Sequence, residues 1–127
     1  MGRASRVKGH NFEREIARQL REKLGEPFKR GLQTREGGEV PDVFSHTLPY
    51  WFECKKGKSI AYLPALKQAE KAIKEAHDPH GPTLPVAVLG LDNEQPLALL
   101  RWELFKEILA DAVEWRRHRE GVTSSSQ

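Results

Sequence analysis

One cysteine and one methionine occur in 127 residues, and no apolar run approaches the roughly eighteen residues that a membrane span requires. A single cysteine closes no internal disulfide. The N-terminus, Met1 to Lys8, is basic but leads into no apolar core, which excludes a signal peptide. Ser5 stands one place too early for a lipidation signal. These absences predict a soluble protein, cytoplasmic in its cell or in a host, with no membrane partner. The length fits one domain with a modest core, and no repeats are present. The expectation is a single domain over 1–120, with residues 1–9 as a flexible basic arm and the polar residues 121–127 as a disordered tail.

Acid and base are unevenly distributed. Residues 1–35 hold ten Lys or Arg against four Glu, a net of +6, while the remainder holds eleven basic and fourteen acidic residues, a net of −3. A positive field concentrated at one end suits a polyanionic partner, although a solvated basic face would show the same excess.

From Asn11 to Leu24, Phe12, Ile16, Ala17, Leu20 and Leu24 recur at helical spacing, and Gly25 follows as a stop. Their arc is about 140° wide; Glu13 projects from within it, and Arg14, Arg18 and Arg21 lie opposite. A strand fragment is expected around Phe28 to Leu32, then a loop carrying Arg35. Asp42 to Phe44 and Tyr50 to Lys55 predict a hairpin, with Trp51, Glu53 and Lys55 on one face and Tyr50, Phe52 and Cys54 on the other. Pro64 to His77 reads as a helix with Leu66, Ala69, Ile73 and Ala76 inward. Leu84 to Leu91 reads as a buried strand that could pair with Pro96 to Leu100. A closing helix from Trp102 to about Arg117 is expected to bury Leu104, Phe105, Ile108, Leu109, Ala112 and Trp115. Trp102 and Trp115 suit a core or a dimer interface, and Tyr62-Leu63-Pro64 suits a dimer contact.

Inward-facing acids need compensation, since an unpaired buried charge costs on the order of several kcal/mol. A divalent cation supplies it, and Mg²⁺ prefers hard oxygen ligands, only a few of them from protein. Asp42 and Glu53 on adjacent strands form the core of such a site. Glu13 is a third ligand or holds a water, unless it is a structural acid paired with an internal lysine or arginine. The Cys54 carbonyl is a further donor; its thiol reads as a small core group. Lys55 shares a face with Glu53 and can orient or deprotonate a water, or stabilise charge growing on a phosphate. His77-Asp78-Pro79-His80 lacks a further anchored ligand and is set aside as a metal cluster.

Pro41-Asp42 followed by Glu53-Cys54-Lys55, with an inward acid upstream, resembles the PD-(D/E)-x-K nuclease superfamily. Lys8-Gly9, Phe12-Glu13-Arg14-Glu15, Pro41-Asp42-Val43 and Phe52-Glu53-Cys54-Lys55 look most like archaeal-type and viral Holliday junction resolvases, over roughly residues 6–75. The resemblance implies an α/β fold with a restriction-endonuclease-like core, a central mixed sheet flanked by helices in αβββαβ order. It implies metal binding by the acids at Glu13, Asp42 and Glu53, catalysis by Lys55, and a homodimer that makes paired cuts across a four-way DNA junction with Mg²⁺, or with Mn²⁺ as its substitute. Basic residues near the first helix and the following loop would touch phosphates, here Lys8, Arg14, Arg30 and Arg35. No serine lies between Gly25 and Asp42, where those resolvases often carry one, and Thr34 is the nearest hydroxyl. Gln68 matches a polar position of many superfamily members, as an exposed helical glutamine also would. A nuclease for flaps, single strands or duplex would share every catalytic residue. A DNA-binding module with the same fold but no catalysis is the alternative outside enzymes.

Overall fold

A computed structural model describes residues 2–32, 38–76 and 78–125. Helix α1 (Gly2–Leu24) leads into strands β1 (Lys29–Arg30), β2 (Val43–Phe44) and β3 (Tyr50–Gly57). Helix α2 (Tyr62–Glu75), strands β4 (Leu84–Leu91) and β5 (Leu97–Leu99) and helix α3 (Trp102–Ser125) complete the chain. None of these helices is long and apolar enough to cross a membrane, among the described residues.

The five strands form one mixed sheet in the order β1-β2-β3-β4-β5. Strands β3 and β4 run parallel through eight paired positions, from Tyr50↔Leu84 to Gly57↔Leu91, and all other neighbours are antiparallel. Parallel strands need a crossover, and α2 provides it. Alternation along the central strands then sorts the core. Cys54, Val86 and Val88 face α1 and pack with Phe12, Ile16 and Ala17. On the opposite face Trp51 meets Ala69 and Ala72, while Ala87 and Leu89 meet Ala65 and Leu66 of α2. Because β4 is covered on both faces, its sequence is a continuous apolar run. Each large side chain withdrawn from water here contributes about 1.5–3 kcal/mol. Gly90 permits the close approach of α1, since a Cβ at that position would stand 2.7 Å from the Phe12 ring. A mixed sheet with helices on both faces, in the order helix, three strands, helix, strand, is the restriction-endonuclease-like core, extended here by β5 and α3.

Three features differ from the reading of the sequence. Residues 2–9, expected as a flexible arm, are the first turns of α1. The apolar periodicity starts only at Phe12, but the charged residues before it are compatible with helix, and Lys8 is tied to Asp92 at 2.8 Å. Helix α3 runs to Ser125 rather than ending near Arg117. Its expected buried face is also largely bare: only Leu104 and Ile108 are partly covered, whereas Phe105, Leu109, Ala112 and Trp115 are exposed. The helical period was read correctly, but the surface that would cover it is not supplied by the rest of the chain.

Candidate active site

Asp42 stands immediately before β2, and both of its backbone groups are engaged. Its N–H donates to the Phe52 carbonyl (3.0 Å), and its carbonyl accepts from Gly31 N–H (3.0 Å). The carboxylate is thereby held between β1 and β3, where Oδ2 accepts a hydrogen bond from Cys54 N–H at 2.8 Å. Gly31 is required by this arrangement: a Cβ there would lie 1.9 Å from the Pro41 carbonyl oxygen. No local pattern marks that requirement in the sequence, because the collision is with a segment ten residues away.

Glu53, on the α2 face of β3, is 7% exposed. Trp51 Nε1–H donates to its Oε2 at 3.3 Å, and Gln68 of α2 donates to its Oε1 at 3.4 Å. These two donors partly compensate a buried acid. Burial raises the Glu53 carboxyl to about 7, and the charge of Asp42 adds to the rise, while Trp51 and Lys55 oppose it. Asp42 is raised as well, chiefly by burial, against the pull of the Cys54 N–H. Both acids hold protons more tightly because of burial, Glu53 also because of the Asp42 charge and Asp42 because of the Glu13 charge, and together they form a site of surplus negative charge. The Lys55 ammonium, two residues along β3, favours ionisation of both.

Cys54 packs its side chain into the α1 core. Burial, followed by the neighbouring charges of Asp42, Glu13 and Glu53, raises its thiol far above the range of a nucleophile. Glu13 projects from α1 toward the same region, since its charge acts on Asp42 and Cys54. Its carboxylate, however, is engaged: Arg30 Nε donates to Oε2 at 2.9 Å, in a pair whose side chains are 15% and 20% exposed. The structural alternative for Glu13 is thus present in this structure, and Arg30, expected at DNA, is its partner.

Of the other expected DNA contacts, Lys8 bonds Asp92 and exposed Arg14 bonds Asn11 at 3.0 Å. Arg35 and Thr34 lie outside the described residues, as does His77. Asp78 accepts the His80 backbone N–H at 2.9 Å, which is turn geometry. Beside Lys55 a depression of about 300 Å³ is lined by Lys55, Lys56, Ser59, Pro64 and Gln68, among others. It gives a phosphate-sized group access to the lysine from solvent.

No three His, Cys, Asp or Glu side chains converge as a metal-holding group among the described residues. The donors brought together are the Asp42 and Glu53 carboxylates. Two hard oxygen donors with surplus negative charge fit Mg²⁺ or Mn²⁺, which need few protein ligands.

Comparison with curated proteins and with solved structures gives no match. A family model described as "Phage putative PDDEXK endonuclease" matches residues 4–75, more than half of the chain, from the start of α1 to the end of α2. That span contains Glu13, Asp42, Glu53 and Lys55, and the chain belongs to this family of PD-(D/E)-x-K endonucleases.

Proposed function

We propose that the protein is a structure-specific endodeoxyribonuclease that resolves four-way DNA junctions, acting as a homodimer that makes paired cuts with Mg²⁺, or with Mn²⁺ in its place. The observation that carries the chemistry is the buried Glu53 with half-buried Asp42 and with Lys55 beside it. Nucleases of this superfamily generally use divalent metals. Asp42 and Glu53 would hold the ion, with the Cys54 carbonyl as a further oxygen donor and Glu13 as a more distant acid. A bound divalent ion supplies Lewis acidity toward the phosphodiester. The protein's own groups do the rest. Trp51 and Gln68 hold Glu53 in place, and the Cys54 N–H fixes Asp42. The Lys55 ammonium orients a water or meets charge growing on the phosphate.

Support for DNA as the polyanion comes from the family and from the positive charge of α1, where Arg14 is exposed one residue from Glu13. Support for junctions comes from the resemblance to resolvases. Two symmetric active sites match two symmetric strands. The test is cleavage of synthetic four-way junctions, flaps, single strands and linear duplex by purified protein, with Mg²⁺, with Mn²⁺ and with chelator. Preference for junctions, loss of cutting in chelator and loss in Asp42→Asn are expected. Equal cutting of duplex would overturn the substrate, and junction binding without cutting in either metal would mark a non-catalytic module.

A further inference from the structure

Much of the positive charge that the sequence concentrates in residues 1–35 is engaged within the fold. Arg18 bonds Glu15 and Glu22, Arg30 holds Glu13, Lys8 holds Asp92, and Arg21 donates to the Phe28 carbonyl. The other side of the molecule is different. Residues 55–76 carry six lysines against two glutamates, a net of +4. Glu70 is held through both carboxylate oxygens by Arg101 at 2.9 Å, and Glu75 comes no nearer to Lys71 than 4.0 Å. Lys67, Lys71 and Lys74 of α2 are all exposed. At 100° per residue they fall within an arc of about 60°, opposite the buried Ala65, Leu66, Ala69 and Ala72.

We propose that this outer face of α2 is the track for the sugar-phosphate backbone of the DNA arm flanking the cleaved bond, with Lys67, Lys71 and Lys74 as its phosphate contacts. The inference rests on the DNA-cleaving reading above and gives the substrate a path. Pro64, Lys67, Lys71 and Lys74 stand at i, i+3, i+7 and i+10, a single row along the helix. Pro64 lines the depression that opens on Lys55, so the row begins at the mouth of the candidate active site. Gln68 of the same helix bonds Glu53, which ties the track to the acids. From Lys67 to Lys74 the row extends about 10 Å at about 1.5 Å per residue. One strand of a DNA duplex carries a phosphate about every 3.4 Å of axis, so the three lysines span about three phosphates. A merely solvated helix face alternates its signs, whereas no acid interrupts this row. Phosphate contacts fix position on the backbone without reading bases, as recognition of DNA by shape requires.

The experiment is fluorescence anisotropy of a labelled four-way junction and a labelled linear duplex over a series of salt concentrations. It uses the full chain with Mg²⁺ in an Asp42→Asn background, in which cutting is expected to be lost. Two triple variants each remove three positive charges, Lys67→Gln/Lys71→Gln/Lys74→Gln on α2 and Arg3→Gln/Arg6→Gln/Arg14→Gln on α1, so they differ only in where the charge is lost. Each lysine at a phosphate contributes about 0.9 to the slope of log affinity against log salt, and the α2 triple is expected to flatten that slope by roughly 2.7. Its affinity at low salt should fall more than tenfold, with circular dichroism unchanged. A slope flattened by less than about one, or flattened as much or more by the α1 triple, overturns the inference. With Asp42 restored, the α2 triple should cut with a raised KM and an unchanged kcat, and a loss confined to kcat would overturn the inference too. Equal binding of junction and duplex, with the dependence on α2 intact, refutes junctions as the preferred substrate and leaves the track standing. A parent that binds neither DNA overturns both.

Discussion

Glu53→Gln is expected to change stability in opposite directions at low and high pH when metal is chelated. In the wild type, burial and the Asp42 charge raise Glu53 from an ordinary 4.5 to about 7. A raised carboxyl binds its proton more tightly in the folded state than in the unfolded one. Stability is therefore greatest below the unfolded value and declines as pH climbs from about 4.5 to about 7. A shift of that size corresponds to about 3 kcal/mol, reduced to roughly 2 by screening through the part of the side chain that reaches water. Asp42, also raised, slopes the same way. Glu15, Glu70 and Asp92 are lowered by their ion pairs, and their contribution is lost only below their unfolded values near 4, outside this window. Glutamine abolishes the Glu53 titration but leaves one of the donors Trp51 and Gln68 facing an amide NH₂, at a cost of about 1 kcal/mol. The variant should be about 1 kcal/mol less stable than wild type at pH 5 and about 1 kcal/mol more stable at pH 7.5. Urea denaturation followed by tryptophan fluorescence, in chelator, measures both. A difference between the two proteins that does not vary with pH would refute the assignment of Glu53 as a buried acid held near neutrality.

Divalent ion should reverse that penalty: at a hundredfold excess over its dissociation constant, Mn²⁺ should stabilise the wild type by about 2.7 kcal/mol, and Asp42→Asn should lose most of this in thermal melts. Gly31→Ala drives a Cβ against the Pro41 carbonyl, so it should lower stability by about 1–3 kcal/mol and reduce cleavage through displacement of Asp42, read by denaturation and nicking rates together. Lys55→Met should retain metal-induced stabilisation while cleavage falls by about 10²–10⁴, and a variant cutting at the wild-type rate would remove the lysine from the mechanism. Arg30→Ala strands Glu13 and should cost about 1–2 kcal/mol, with Glu13→Gln restoring much of it in the double variant; simple additivity would show that the pair is uncoupled.

What the sequence disclosed, and what it hid, follows from the range of the forces involved. The period-2 order of β3 put Trp51, Glu53 and Lys55 on one face, and the continuous apolar run of β4 announced a strand buried on both sides; these are properties of single elements. The α1 stripe likewise identified Phe12 and Ile16 as core and turned Glu13 inward. The partner of Glu13 was not local. Arg30 lies seventeen residues on, after the chain has reversed into β1, and its basic character alone pointed equally well to phosphate. Gly31 was silent for a similar reason, because the atom that excludes a side chain there belongs to Pro41.

Helix α3 shows where periodicity stops being informative. An apolar stripe states that a helix face avoids water, and nothing in the spacing of Trp102, Phe105, Leu109 and Val113 states whether the cover comes from the same chain. In this fold the sheet is already covered by α1 and α2, one on each face, so a third helix finds no bare face of the sheet. Trp102, Phe105, Leu109 and Val113 therefore stay exposed to water on a helix that only Leu104 and Ile108 tie to the rest of the chain.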